Sequence, residues 1–219
     1  MVRDGIFYAL GLGAVAAALW YLNMPGWLVA MPVVLAAFFL WFFRDPNRTI
    51  PQGAGQIVSP GDGLVTEAEW IETISGSRLR LSIFLNVFDV HVNRSPVGGV
   101  VKVCEFRKGE FMNAMKPESV LNNEQTLVTI DAGGYEVSFK QIAGLLARRI
   151  VCNLKVGDRV ERGQRIGLIK FGSRVDVLIP AEANLKVKTG SRVKGGSTVL
   201  AVLPEHAGQA KSATAVMVA

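Results

Sequence analysis

Lys155-Val156-Gly157-Asp158-Arg159-Val160-Glu161-Arg162-Gly163-Gln164-Arg165-Ile166-Gly167-Leu168-Ile169 can be laid over Lys188-Thr189-Gly190-Ser191-Arg192-Val193-Lys194-Gly195-Gly196-Ser197-Thr198-Val199-Leu200-Ala201-Val202. Both segments read x-G-x-x-V-x-x-G-x-x-(I/V), which is a turn, a short strand, a second turn and another strand. Two copies are too few for a solenoid, and they suit a small quasi-symmetric β-sandwich. The same texture runs upstream. Gln56 to Ser59 begins a strand that breaks at the turn Pro60-Gly61-Asp62-Gly63, and Leu64 to Trp70, Leu79 to Asn86 and Val97 to Phe106 continue the alternation. Thr126 to Ile130 and Tyr135 to Phe139 flank Asp131-Ala132-Gly133-Gly134, a hairpin signal. Gln141 to Ile150 reads as a short helix with Arg148 and Arg149 near its C-terminal end, where the dipole favours cations. The predicted class is mostly β, α+β once the N-terminus is counted.

The repeat resembles the sandwich of biotinyl and lipoyl carrier domains. Ala114-Met115-Lys116 superficially matches the biotin attachment triplet, but Pro117 follows where that motif has methionine, and the triplet lies well upstream of the repeat. At the other end of the chain, Ile6 to Leu22 and Trp27 to Phe43 carry no charged side chain and are split by Asn23-Met24-Pro25-Gly26. Each run is at the low edge of what crosses a bilayer. Two runs joined by a tight turn predict a helical hairpin over residues 1–43 that enters a membrane and returns; the alternative is a buried helical pair. Phe38-Phe39 and Trp41-Phe42-Phe43 form an interfacial aromatic belt. Arg3 at one end, with Arg44 and Arg48 at the other, places both ends on the cytoplasmic side of a cell membrane. Residues 44–55 form the linker, since Asp45-Pro46 and Pro51 cannot continue a helix. Residues 56–204 form the β-rich domain, and 205–219 an Ala/Ser/Gly/Gln-rich flexible tail.

The 219 residues carry a formal charge of +6. No basic run is interleaved with aromatics, which excludes the single-strand nucleic-acid binders. Beside a membrane anchor, the positive balance favours anionic lipid head groups; a solvated basic face is the plain alternative. Cys104 and Cys152 show neither zinc nor disulfide-framework spacing, so no metal is expected and both read as buried thiols of a reducing cytosol.

Few residues can do chemistry. In Ile169-Lys170-Phe171-Gly172-Ser173-Arg174-Val175-Asp176-Val177, a Gly-Ser pair interrupts two strand-like stretches. Glycine before serine leaves the upstream carbonyl open to attack by the hydroxyl and tolerates strained angles. Most such pairs are simple turns. Of two histidines, His206 lies in the tail, while His91 follows a strand in Phe88-Asp89-Val90-His91-Val92-Asn93-Arg94-Ser95-Pro96. It is either a hydrogen-bonded structural residue or the domain's base with a pKa near neutrality. Asp62, projected from its turn, is a turn residue or the carboxylate that orients His91. Together, Asp62, His91 and Ser173 form a carboxylate, a base and a nucleophile.

With these stretches in hand, the chain resembles the phosphatidylserine decarboxylases of the short, membrane-anchored type. The matching parts are the paired apolar segments followed by Phe43-Arg44-Asp45-Pro46, then Ser59-Pro60-Gly61-Asp62-Gly63 and Asp89-Val90-His91-Val92-Asn93-Arg94-Ser95-Pro96. Asn123-Glu124, Gln141-Ile142-Ala143-Gly144, Ala147-Arg148-Arg149-Ile150 and Phe171-Gly172-Ser173 also match, covering nearly the whole chain to about Leu203. The resemblance implies a proenzyme that cuts itself between Gly172 and Ser173. The products would be a β chain, 1–172, and an α chain, 173–219, held together as a heterodimer, with a higher oligomer left open. It implies that Ser173 becomes a covalent pyruvoyl group, which replaces pyridoxal phosphate by forming a Schiff base with the substrate amine. It implies conversion of phosphatidylserine to phosphatidylethanolamine and CO2, with phospholipid and membrane as partners. Longer relatives carry His-x-x-His, the second histidine belonging to the self-cleavage triad; here the positions are His91 and Arg94. They also read Leu-Gly-Ser-Thr where this chain has Phe-Gly-Ser-Arg. Arg174 and Arg94 are therefore candidates for holding a substrate anion, with a solvent-facing charge as the plain reading of Arg174. Other serine phospholipids are an alternative substrate class. A membrane-anchored lipoyl-like carrier or adaptor without activity is the alternative from another functional class.

Overall fold

Asn23-Met24-Pro25-Gly26 breaks the apolar N-terminus into two helices, α1 (Arg3–Tyr21) and α2 (Gly26–Phe42). In the computed structural model, residues 3–73, 76–116, 118–145, 149–170 and 173–204 are described. The chain divides into two units, Met1–Asn47 and Arg48–Ala219. Within the first unit, Asn23 takes a left-handed φ of 53°, which asparagine tolerates, and Met24 N–H closes α1 on the Leu19 carbonyl at 3.0 Å. The helices pack through Tyr8, whose ring lies 5.0 Å from Phe39 and 5.8 Å from Phe43. Gly5 permits that approach, since a Cβ there would stand 2.7 Å from the Phe43 Cβ. Phe7, Leu10, Trp20, Trp27 and Val34 are exposed, the reverse of a soluble helix pair. By length and composition, α1 is apolar enough to cross a membrane.

The second unit is almost entirely β, as composition and turn spacing predict. Its strands are β1 (Gln56–Val58), β2 (Gly63–Thr73), β3 (Gly76–Leu85), β4 (Val92–Arg94), β5 (Gly99–Arg107), β6 (Gln125–Asp131) and β7 (Glu136–Ile142). They continue as β8 (Ile150–Cys152), β9 (Arg159–Val160), β10 (Arg165–Ile169), β11 (Ser173–Pro180), β12 (Asn184–Leu185), β13 (Arg192–Val193) and β14 (Val199–Val202), with a single helical turn, α3 (Ser119–Asn122), before β6. An eight-stranded sheet runs β13-β2-β3-β11-β7-β6-β5-β9, beside two three-stranded sheets, β1-β14-β12 and β4-β10-β8. Val65, Ile83, Val128, Phe139, Val175 and Val177 are all fully buried in one core.

The symmetry of this unit is wider than the repeat that first signals it. Exchanging β13 with β9, β2 with β5, β3 with β6 and β11 with β7 leaves the order of the large sheet unchanged, and the same exchange turns β1-β14-β12 into β4-β10-β8. Val58 N–H donates to the Pro96 carbonyl at 2.9 Å, and Arg94 N–H returns the bond to Pro60 at 2.9 Å. Ser59 Oγ bonds the Gly61 carbonyl as Ser95 Oγ bonds that of Val97, both at 2.6 Å. Register slips fall between Val65 and Glu67 in β2 and between Val101 and Val103 in β5. The repeat glycines agree too: φ is 94° at Gly157 and 88° at Gly190, 76° at Gly163 and 78° at Gly196, values that exclude most side chains. One copy is β4 to β10, continuous in sequence. The other is β1 to β3 plus β11 to β14, interrupted by the first. Where β6 turns into β7 through Gly133 and Gly134, with Ala132 N–H on the Tyr135 carbonyl at 2.9 Å, the other copy has the break between Leu85 and Ser173.

One element departs from expectation. Gln141 and Ile142 end strand β7 instead of starting a helix, because each is paired on both sides, with Val175 and Arg174 on β11 and with Thr126 and Gln125 on β6. Two ladders outweigh a local helical pattern. Residues 146–148 lie outside the described residues.

Candidate active site

Ser173 opens β11 opposite Leu85 of β3 and is fully buried. Its Oγ has no hydrogen-bond partner among the described residues. The other buried serines of comparable loops do not behave this way, since Ser59 and Ser95 each donate to a carbonyl two residues on. A buried hydroxyl left unpaired costs about 1–3 kcal/mol. That cost falls at the first residue of a strand. Gly172 lies outside the described residues.

Asp62 comes from the tight turn after β1. Gly63 is obligatory there: a Cβ would stand 2.3 Å from the Phe84 carbonyl oxygen. Asp62 Oδ2 accepts from Arg48 Nη2 at 2.6 Å and Oδ1 accepts from Gly195 N–H at 2.8 Å. Burial lifts its pKa above the ordinary value, against the pull of the Gly195 N–H and the Arg48 charge. Arg48 and Gly195 thus hold the two oxygens.

His91 is 2% exposed and stands just before β4, where its carbonyl accepts from Ile169 N–H at 3.3 Å. The preceding loop is fixed by Asp89, whose carboxylate accepts from Asn86 N–H at 2.9 Å and from Arg192 Nη1 at 2.8 Å. Two residues on, Asn93 is fully buried. Its Oδ1 accepts from Gln141 Nε2 at 2.8 Å, and its Nδ2 lies 3.5 Å from the Pro60 carbonyl. A Cβ on Gly61 would stand 3.4 Å from Asn93 Nδ2 and 3.4 Å from a Leu85 methyl. The Asp62 turn, the His91 strand and the β3–β11 edge with Ser173 therefore meet at one corner, although they are far apart in sequence.

The two arginines offered as anion holders are placed otherwise. Arg174 is 1% exposed, with Nε on Asp176 Oδ1 at 2.6 Å and Nη2 on Glu67 Oε2 at 2.7 Å and Ser82 Oγ at 2.6 Å. Its donors are spent inside the sheet, neither in solvent nor on an incoming phosphate. Arg94 is buried with Nη1 on the Gly163 carbonyl at 3.0 Å, and its Cδ is 2.8 Å from where a Gly196 Cβ would be. It fills the space between the paired glycine turns. Arg48, Gly195, Asn93 and Gln141 are the site residues that pattern reading missed. The Ser-Pro-x-x-Gly echo between 59–63 and 95–99 was the signal that could have exposed the second copy, and through it the odd polar positions.

Cys104 and Cys152 sit with their sulfurs 4.0 Å apart, and Cys104 Sγ lies 3.2 Å from the Leu154 carbonyl. Burial and the neighbouring thiol push Cys104 up to about 11. Among the described residues no cluster of His, Cys, Asp and Glu could hold a metal ion. Ala114-Met115-Lys116 lies in the loop before α3 and not on a β-hairpin, which removes the carrier comparison from that triplet.

The sequence matches the phosphatidylserine decarboxylase family over residues 35–201. It is 50% identical over 202 residues to the phosphatidylserine decarboxylase proenzyme of Solibacter usitatus, covering 92% of this chain and 96% of that one. The proenzyme of the same name from Symbiobacterium thermophilum is 46% identical over 209 residues, covering 94% and 96%. That of Nitrosomonas europaea is 44% identical over 193 residues, covering 86% and 89%.

Proposed function

The chain belongs to the phosphatidylserine decarboxylase family, and from that premise we propose that it is a self-cleaving proenzyme whose mature form converts phosphatidylserine to phosphatidylethanolamine and CO2. The observation that carries the site assignment is the buried hydroxyl of Ser173, without a hydrogen-bond partner among the described residues, at the corner where the Asp62 turn and the His91 strand meet. Ser173 Oγ attacks the Gly172 carbonyl. The C–N bond breaks as the C–O bond forms, and the proton moves to the freed nitrogen. Elimination releases the Gly172 carboxylate; water then displaces ammonia and leaves a pyruvoyl group at residue 173. That group supplies a ketone able to condense with the substrate amine and an electron sink for the charge left when CO2 departs. His91 is the proton carrier. Asp62, held by Arg48 and Gly195, fixes the turn that closes the corner around it.

The cut chains stay together as a heterodimer because β11 sits in the middle of the eight-stranded sheet, between β3 and β7. Residues 1–43 anchor the enzyme to the cell membrane with both ends on the cytoplasmic face, 44–55 link, and 56–204 carry the chemistry. The two copies and their flanking three-stranded sheets support a lipoyl-like sandwich as the underlying architecture. Ser173→Ala tests the reading: one uncut chain and no CO2 from phosphatidylserine are expected, and cleavage or turnover by that variant would refute it.

A further inference from the structure

The fold builds the same corner twice, and only one of the two is polar. Asn93 faces Gly167 across β4 and β10 as Ile57 faces Ala201 across β1 and β14. Gln141 faces Thr126 across β7 and β6 as Ile179 faces Leu79 across β11 and β3. The symmetry therefore sets Asn93 against Ile57 and Gln141 against Ile179, and all four are fully buried. In one copy the pair belongs to the aliphatic core. In the other it is two amides joined at 2.8 Å, with Gln141 Oε1 buried and without a hydrogen-bond partner among the described residues. The aliphatic copy shows that the backbone does not require amides at these positions. A buried amide oxygen left without a partner is destabilising, so the fold is the poorer for it.

The polar corner is the one beside Ser173, because Ile142 and Gln141 at the end of β7 pair with Arg174 and Val175 at the start of β11. Gln141 stands opposite Val175 on the face of the sheet that Ser173 shares two residues earlier. That diagonal separates Cβ atoms by about 7–8 Å, within reach of a long side chain. Asn93 links Gln141 to the Pro60 carbonyl and so to the Asp62 turn. Two of the buried polar atoms without a hydrogen-bond partner among the described residues, Gln141 Oε1 and Ser173 Oγ, lie on neighbouring strands of one face.

We propose that Asn93 and Gln141 are positioning residues for the reaction at residue 173. Gln141 Oε1 accepts the Ser173 hydroxyl and aims its oxygen at the Gly172 carbonyl, while Asn93 locks Gln141 to the turn that carries Asp62. This rests on the self-cleavage reading above, and deepens it.

The test is to give this corner the residues of its symmetric twin. In a Ser173→Ala background, where nothing is cut, Asn93→Ile with Gln141→Ile should unfold in denaturant at or above the midpoint of Ser173→Ala alone. With Ser173 present, the same double change should slow self-cleavage at least about a hundredfold, followed by intact mass after expression. Any cleaved fraction should show a reduced kcat with KM unchanged. Gln141→Met alone keeps Asn93 and the side-chain shape, and it should also accumulate precursor. It decides the matter if the double variant does not fold. Cleavage at the parental rate by folded Gln141→Met or by the folded double variant would overturn the proposal. Failure of the parent to cleave would instead refute self-cleavage itself, a separate and recognisable outcome.

Discussion

Ser173 and Asp62 show how much one buried polar atom can say. The Asp62 carboxyl is lifted by burial, so as pH falls it picks up a proton sooner than an ordinary carboxylate does. If ionised Asp62 keeps the turn closed, the self-cleavage rate should fall on an acidic limb lying above 3.8, the ordinary value. Asp62→Asn should abolish that limb and lower the rate at neutral pH, as a pH series on freshly refolded precursor would show. Cys104 moves the same way for a different purpose. Raised from 9.0 to about 11, it stays protonated at pH 8, where its thiolate fraction is about a hundredfold below that of a free cysteine. Alkylation of the folded protein at pH 8 should therefore be about a hundredfold slower at Cys104 than after unfolding. Of these residues, Ser173, His91 and Asp62 are readable from the sequence because Gly-Ser, a lone histidine after a strand and a Pro-Gly-Asp-Gly turn are local signals. Asn93 and Gln141 are not, since their oddity exists only against Ile57 and Ile179, which the fold alone sets beside them.

Strand β11 is the element that the proposed cleavage would put at risk, because its first residue would lose its covalent neighbour. Arg174 pins it to β2 and β3 through Glu67 and Ser82, with Asp176 completing the ion pair on its own strand. In the other copy the same sheet positions carry Glu136, Ser138, Val103 and Thr129, and the hairpin at Gly133 and Gly134 does the holding. Arg174→Met should therefore cost about 3–5 kcal/mol, since it strands the Asp176 carboxylate in the interior, and chemical denaturation of the uncut precursor would measure it. Strand content and hairpin are plain in the alternation of Thr126–Ile130 and Tyr135–Phe139. The end of β7 is not: Gln141–Ile150 has a helical look, and only pairing with both β6 and β11 makes Gln141 and Ile142 extended. No local window contains that information.

At the scale of the molecule, the second unit is one seven-stranded arrangement placed inside another, and the bond proposed to be cut falls where the inner copy hands the chain back to the outer one. The repeat at 155–169 and 188–202 announces the last third of each copy; the first halves, 57–65 and 93–101, share little beyond the Ser-Pro-x-x-Gly echo, and their reciprocal hydrogen bonds make the correspondence plain. This placement explains why a chain broken at residue 173 would remain whole. The α chain supplies a central strand, so the two fragments should co-purify and part only when the domain unfolds. Size-exclusion chromatography across a denaturant series would show both leaving together. The central claim is that residue 173 ends as a ketone at a new N-terminus. The most direct measurement is the intact mass of the purified protein under denaturing conditions. The account predicts two species, residues 1–172 and residues 173–219, the smaller beginning in pyruvoyl; one species of the full 219 residues with Ser173 unchanged would contradict it.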